Sequence, residues 1–327
     1  MKRRDVLIGL AAVAAPAPAV GQSSARLPVV AFVGFASTLV DNRTLQPFRH
    51  ALRELGQIEG QTVVIEARSS DGDIERGHAL ISELAALPAD VFLSPGPAAT
   101  RAILRKTKIP IVAIALPAGE TEPELFASLG RPGGTVTGFS AFGEELSAKR
   151  IEMLKEVLPR LDVVGVLHNV TDPTFRTWGE QTLTDASKQG LKSVRLGLSS
   201  TSISQVADAI GKLREAGGTA VIVIRDFLTS ALMDDICRIG ADAGISVVGE
   251  HSQFARAGAL LSYGADINDL FRRAAGYVDR ILKGEKAAEL PIQLPTRFEL
   301  VVNVKTARAL NVTMPPSILV RADEVIE

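Results

Sequence analysis

Short apolar runs alternate with amphipathic stretches along almost the whole chain. Pro28–Gly34 carries no polar side chain, which predicts a strand buried on both faces. Thr44–Leu55 follows with Leu45, Phe48, Leu52 and Leu55 spaced as one helical stripe, closed by Gly56. The order then recurs, with strands predicted over Thr62–Ala67, Asp90–Leu93 and Ile109–Leu116 and helices over Ile74–Leu87 and Ala98–Lys106. Strand–helix repetition with strands apolar on both sides points to a parallel sheet covered by helices on both faces.

The rhythm breaks at Arg131-Pro132-Gly133-Gly134 and through Thr135–Ser140, after which a long helix is expected over Gly143–Leu158. Alternation resumes with strands over Val163–His168, Lys192–Leu196, Ala220–Ile224 and Ser246–Val248, and helices near 175–189, 202–216 and 229–243. Ala259–Gly264 reads as a further strand and Ile267–Lys283 as a helix ended by Gly284. The tail holds the apolar segments Phe298–Asn303 and Ile318–Arg321 and a short helix over Lys305–Leu310. The expected fold class is α/β: two doubly wound, parallel-sheet lobes, with the glycine-rich 131–140 stretch as a crossover. Open α/β sheets bind ligands beyond the carboxyl ends of their strands, so two facing lobes would line one cleft.

Charge removes several partners from consideration. Lys and Arg number 36 against 37 Asp and Glu, a net charge of −1, which gives no electrostatic case for nucleic acid or an anionic membrane. At the N-terminus, Lys2, Arg3 and Arg4 precede an apolar run from Val6 to Val20, and Ala19 and Gly21 stand at the −3 and −1 positions of a cleavage site. Residues 1–21 therefore read as a secretory signal peptide, and the mature chain as a periplasmic protein starting near Gln22. The run, about 15 residues, is short of the roughly 20 that span a bilayer. The paired arginines loosely resemble a twin-arginine signal. A mature chain of about 305 residues suits two lobes of roughly 120 to 150 each. The single cysteine, Cys237, forbids an internal disulfide, and its neighbours Ile236 and Ile239 predict a buried thiol. One Cys and four His leave no basis for structural zinc, so neither metal nor cofactor is expected.

No Gly-x-Ser-x-Gly elbow, phosphate-binding Gly-Lys-Ser/Thr loop, Gly-x-Gly-x-x-Gly turn or His-Glu-x-x-His helix occurs, so no catalytic residues are expected. His50 and His78 fall within helices and His168 ends a strand; His251, after Glu250, is the histidine nearest a cleft. Candidate ligand-binding residues follow the strands instead. Gly96, Pro97, Ala98 and Ala99 open a helix, where glycine permits close approach and free N–H groups favour an anion such as a carboxylate. Ser37 and Thr38 offer two hydroxyls after the first strand. Asn169 follows the first strand of the second half, and Asp172 beyond it reads as a helix cap with Pro173 at the first helical position. Asp226 and Glu250, each after a strand, could take an amine or hydroxyl. Phe139, Phe254 and Tyr263 stand at strand ends where aromatic rings could wall a flat ligand, although packing within the lobes explains each singly.

Several segments carry a resemblance. They are Phe48-Arg49, Leu52–Gly56, Glu59-Gly60-Gln61, Ala127–Gly138, Lys149-Arg150, Leu154-Lys155-Glu156 and Ser262-Tyr263-Gly264. Arg272–Ala275, Val278–Gly284, Pro295–Asn303 and Arg321–Ile326 complete the set. Together they resemble the substrate-binding proteins of ABC transporters, in the group that includes tryptophan-type binding proteins. The resemblance implies a type I periplasmic-binding-protein fold whose lobes join through three hinge strands, near Thr137–Ser140, Tyr263–Gly264 and Phe298. Lobe 1 would comprise 22–138 and 264–298 and lobe 2 139–263 and 299–327, with Thr137, Gly138 and Gly264 absorbing the rotation. It further implies a monomeric, non-catalytic protein that captures a small polar or aromatic solute, amino acid or carboxylate-like, and docks on an ABC permease of the inner membrane. Two departures face the implied cleft: Pro117-Ala118-Gly119 replaces a common Asp-Pro, and Gly249–Ser252 replaces a common Tyr-Gly. Tryptophan-like specificity is therefore not carried over. A ligand-sensing module for a membrane receptor is the first alternative. An exported α/β hydrolase pairing a nucleophile with His168 or His251 is the second.

Overall fold

The computed structural model describes residues 26–35, 38–117, 123–141 and 146–327, so the expected signal peptide and Ser37 lie outside the described residues. Five strands, β1 (Val29–Gly34), β2 (Val64–Ser69), β3 (Val91–Ser94), β4 (Ile111–Leu116) and β5 (Val136–Ser140), form a parallel sheet in the order β2-β1-β3-β4-β5. Helices α1 (Thr38–Glu54), α2 (Ile74–Ala86) and α3 (Pro97–Leu104) connect its first strands. Every residue of β4 is buried, which its uninterrupted apolar sequence requires of a strand covered on both faces.

The chain then builds a second sheet. Its elements are α4 (Ser147–Val157), β6 (Val163–Asn169), α5 (Pro173–Lys188), β7 (Lys192–Leu198), α6 (Ile203–Glu215) and β8 (Ala220–Val223). They continue with α7 (Phe227–Ala231), α8 (Met233–Asp242), β9 (Ser246–Gly249), α9 (Ser252–Ala257) and β10 (Leu261–Ala265). Here α10 (Ile267–Leu282) leaves for the first sheet, before β11 (Phe298–Asn303), α11 (Val304–Ala309), α12 (Pro316–Arg321) and β12 (Glu324–Ile326) complete the second. The sheet order is β12-β11-β10-β9-β8-β6-β7. Strands β6 to β10 are mutually parallel, whereas β11 runs antiparallel to β10 because the chain re-enters from the first lobe.

The lobe assignment of α10 follows from its apolar stripe. Leu270, Phe271, Ala274 and Val278 share one core with Leu45, Phe48 and Leu52 of α1 and with β1, β3 and β4. Asp266 starts the helix by accepting from the Asp269 N–H at 3.1 Å. Beyond it, residues 290–293 run beside β5: Thr137 Oγ1 donates to the Leu290 carbonyl at 2.7 Å, and Ser140 N and Gln293 N bond the Gln293 and Gly138 carbonyls at 2.9 Å.

Thr135–Ser140 is therefore not an interruption but supplies the edge strand of the first sheet. Gly138 makes this possible: its φ is +138°, and a Cβ there would lie 1.9 Å from the Ala113 carbonyl oxygen. The helix expected near 229–243 is two, α7 and α8, meeting at Leu232. Cys237 is buried as expected, its thiol pushed up to about 12 first by burial. No described helix is long and apolar enough to cross a membrane.

Candidate functional site

The carboxyl ends of both sheets face one cleft, as doubly wound sheets require. About 870 Å³ of empty space lies between the lobes, part of it open to solvent. From the first lobe come Phe35 after β1, Asp41 and Thr44 on α1, Pro95–Ala99 after β3, and Ile267, Asn268 and Phe271 at the start of α10. From the second come Phe175 on α5, Arg225–Phe227 after β8, Ser230, and His251–Gln253 after β9.

Four phenylalanines, Phe35, Phe175, Phe227 and Phe271, make this wall largely apolar. Phe35 and Phe227 belong to opposite lobes, and their ring centroids are 5.6 Å apart. Phe175 sets its ring edge-on to Trp178, at 5.4 Å and 88°. Between the rings stand a few charged groups. Arg225 is partly buried and makes no hydrogen bond or salt bridge to a described residue. Burial holds its guanidinium below the usual arginine range, while Glu250 and Asp226 favour its charge.

Asp226 caps α7 through a reciprocal pair: its carboxylate accepts from the Thr229 N–H at 2.8 Å, and its own N–H donates to Thr229 Oγ1 at 2.9 Å. Asn169 Nδ2 donates to its other oxygen at 2.6 Å. Burial outweighs these bonds and raises the Asp226 carboxyl to about 6. His251 is pushed down to about 3, first by burial and then by the nearby Arg225 and Arg256 charges, so its ring is neutral at physiological pH. On the opposite lobe Asp41 is buried and accepts from the Ser69 hydroxyl. Gly34 leaves the space Asp41 occupies, since a Cβ there would come within 2.0 Å of its carboxylate.

The start of α3 has no side-chain cap: Ser94 and Thr100 bond each other at 2.8 Å and the Gly96 carbonyl, leaving the N–H groups of the cleft-lining Ala98 and Ala99 without a capping side chain. Gly96, Pro97, Ala98, Ala99 and Asp226 thus stand together on the cleft wall. The other sequence candidates lie elsewhere. Thr38 is exposed and bonds Asp71 through N–H and hydroxyl at 2.7 and 2.8 Å. Asn169 is fully buried behind Asp226. Glu250 is buried with its Oε1 2.9 Å from the Arg150 guanidinium. Phe139 packs in the first core against Tyr277 and under Arg273. Phe254 is buried behind His251, at 5.0 Å between rings, and Tyr263 stacks on Phe298.

Arg225, Asp41, Thr44, Asn268 and Phe271 line the cleft without having been singled out by the sequence. Arg225 directly follows an apolar strand, a position that could have marked it. The α10 residues carried no such sign, because only tertiary packing turns that helix back to the first lobe. Thr137, Gly138 and Gly264 sit in strands near the passages between sheets. A Cβ on Gly264 would meet the Glu250 carbonyl oxygen at 1.9 Å, so close backbone approach alone requires glycine there.

Comparison with known proteins places this geometry. A tyrosine-binding protein of Clostridioides difficile is 25% identical over 282 residues, covering 84% of this chain and 79% of its own. The crystal structure of a conserved domain protein from Vibrio cholerae matches with a TM-score of 0.84 at 24% identity, covering 92% of this chain and all of that one. An ABC domain from Streptococcus pneumoniae, crystallised in complex with L-Trp, matches with a TM-score of 0.83 at 22% identity and the same coverage. The fold is that of type I periplasmic binding proteins. The family model described as ABC transporter substrate binding protein matches residues 26–326, and the chain belongs to that family. Its members bind small-molecule substrates for ABC transporters outside the cytoplasm and are not a catalytic class.

Proposed function

With membership of that family as the premise, we propose that this chain is an exported, monomeric solute receptor whose solute carries a carboxylate. Arg225 carries this reading: it is a cation without a hydrogen-bond or salt-bridge partner among the described residues, held on the wall of a largely apolar cleft. A guanidinium kept there in low dielectric is compensated when an anion with two acceptor oxygens enters. The uncapped N–H groups at the start of α3 face the same cleft and favour the same charge. Asp226 on one lobe and Asp41 on the other supply acceptors for an amine. The four phenylalanines suit an apolar or aromatic body. The family relatives named for tyrosine and crystallised with tryptophan support an amino acid as the solute class.

Closure follows from where these groups reside. A solute bridging Arg225 of the second lobe and α3 or Asp41 of the first contacts both walls only when they face each other, and so binds the closed state better than the open one. Rotation would pass through the strand ends at 137–140, 263–266 and 298, with lobe 1 as 22–138 and 264–298. Residues 1–21 would be removed on export, leaving a chain that begins near Gln22. The test is a thermal-shift screen of amino acids and aromatic monocarboxylates on the purified mature chain. A ligand that binds only the folded state raises the melting temperature with increasing saturation. Hits confined to compounds lacking a carboxylate would overturn the assignment.

A further inference from the structure

Arg101 lies on α3, a turn beyond the residues that line the cleft, and takes no part in lining it. Its guanidinium crosses to the other lobe. One nitrogen donates to the Asp172 carboxylate and the other to Thr174 Oγ1 at 2.8 Å. All three residues are buried, with Arg101 and Asp172 8% exposed and Thr174 3%. We propose that Arg101 with Asp172 and Thr174 is an interlobe latch, formed only in the closed state, that sets how much of the protein is closed.

The burial of these groups depends on the lobes touching. Arg101 belongs to the first sheet's layer and Asp172 to the start of α5 in the second, so separating the lobes returns both charges to water. In the closed state the charges satisfy one another in a fixed fork geometry, and a misaligned closure leaves both desolvated and unpaired. The pair therefore acts as a register pin as well as an attraction. Around it the contact is apolar: Ala98 of α3 packs against Val166, Phe175, Trp178 and Ile224 of the other lobe.

The latch connects directly to the cleft. Asp172 also accepts from the Thr174 N–H at 2.9 Å, capping α5, and so fixes the turn that joins β6 to that helix. The same turn begins at Asn169, whose side chain donates to Asp226 on the cleft wall. At its other end it leads to Phe175, which lines the cleft. Arg101 is thus a positioning residue for the second lobe's wall. It influences affinity without touching the solute, because apparent affinity scales with the fraction of protein in the binding-competent state. The latch itself stands on the interlobe contacts alone and does not depend on which solute the cleft takes.

The test uses the solute-free mature protein with spin labels at Lys106→Cys and Arg176→Cys, one exposed site on each lobe; buried Cys237 stays unlabelled. Electron–electron distance distributions should show a short, closed component in the parent. Arg101→Met, which leaves Asp172 without its cation, should reduce the closed-to-open ratio roughly tenfold. Adding Asp172→Asn, which keeps a cap for α5 while removing the orphaned charge, should restore part of the closed component. A general folding defect would not be rescued by a second substitution. An unchanged ratio in Arg101→Met, no rescue by Asp172→Asn, or no closed component in the parent overturns the latch. None of these outcomes bears on whether the cleft binds a carboxylate.

Discussion

Asn169 Nδ2 donates to Asp226 Oδ2 at 2.6 Å, so a residue that never reaches the cleft holds one that lines it. The bond lowers the Asp226 carboxyl toward its ionised form, yet burial still raises it to about 6. A carboxyl raised from 3.8 to about 6 on folding contributes stability present below pH 4 and lost as pH rises through 6. Removing the Asn169 donor with Asn169→Ala should raise the Asp226 midpoint further. Carboxyl-detected NMR titration of both proteins checks it; a midpoint that stays or falls contradicts the role of the bond.

His251 imposes the opposite slope. Its folded value of about 3 lies below the ordinary 6.5, so the neutral ring contributes stability present above pH 6.5 that is lost as pH falls toward 3. The two groups partly cancel between pH 4 and 6. His251→Gln should remove one side of this balance and leave a net loss of stability as pH rises from 4 to 6. Urea midpoints measured across that range show whether the slope steepens in the negative sense.

Arg225→Met should separate binding from stability. It removes a cation that lacks a paired partner in the described structure, so the melting temperature should hold or rise. A carboxylate solute should lose roughly 10- to 100-fold in affinity, the worth of charge-assisted hydrogen bonds in a desolvated site. Equal affinity for parent and variant would remove Arg225 from the binding site.

Two glycines are set against backbone rather than side chains. Gly138→Ala drives a methyl to 1.9 Å from the Ala113 carbonyl at a positive φ, and Gly264→Ala drives one equally close to the Glu250 carbonyl. Each should cost roughly 3 kcal/mol or more. Gly211 and Gly276, within α6 and α10, have nothing within 4 Å of an added Cβ. Alanine there should stabilise by about 0.5–1 kcal/mol, as denaturant midpoints would report.

Trp178 is the only tryptophan and sits edge-on to Phe175 of the cleft wall, within the cluster that Ala98 joins from the other lobe. Its fluorescence should change on solute binding in a saturable way, and the change should persist when the solute itself is not aromatic. A flat titration at full saturation would mean that this cluster does not sense closure.

Much of the architecture was legible because parallel strands buried on both faces read as unbroken apolar runs, as in β4 and in β6 up to Leu167. The α3 turn was legible as part of the cleft wall because it follows a strand and opens a helix, at the end of the sheet where doubly wound folds face their clefts. The aromatic candidates were less so: Phe139 lies in β5 and Phe254 on α9, and both side chains are buried in cores, a choice of face that a short apolar run does not encode. Asp41 escaped because α1 begins ahead of the apolar stripe at Leu45, in a polar first turn. Arg225 escaped because a charged residue after a strand reads equally well as a solvated turn. Only the first lobe facing it across the cleft distinguishes the two.

The most direct measurement is isothermal titration of the purified mature chain at pH 7.5 with the common amino acids, aromatic monocarboxylates and their carboxamide analogues, followed by mass spectrometry of the recovered solute. The expected result is one-to-one binding of at least one carboxylate, micromolar or tighter, roughly −8 kcal/mol or better, returned unchanged and with its carboxamide much weaker. Binding indifferent to the carboxylate, or recovery of a chemically converted solute, would contradict a cleft built around Arg225 to hold and release a small acid.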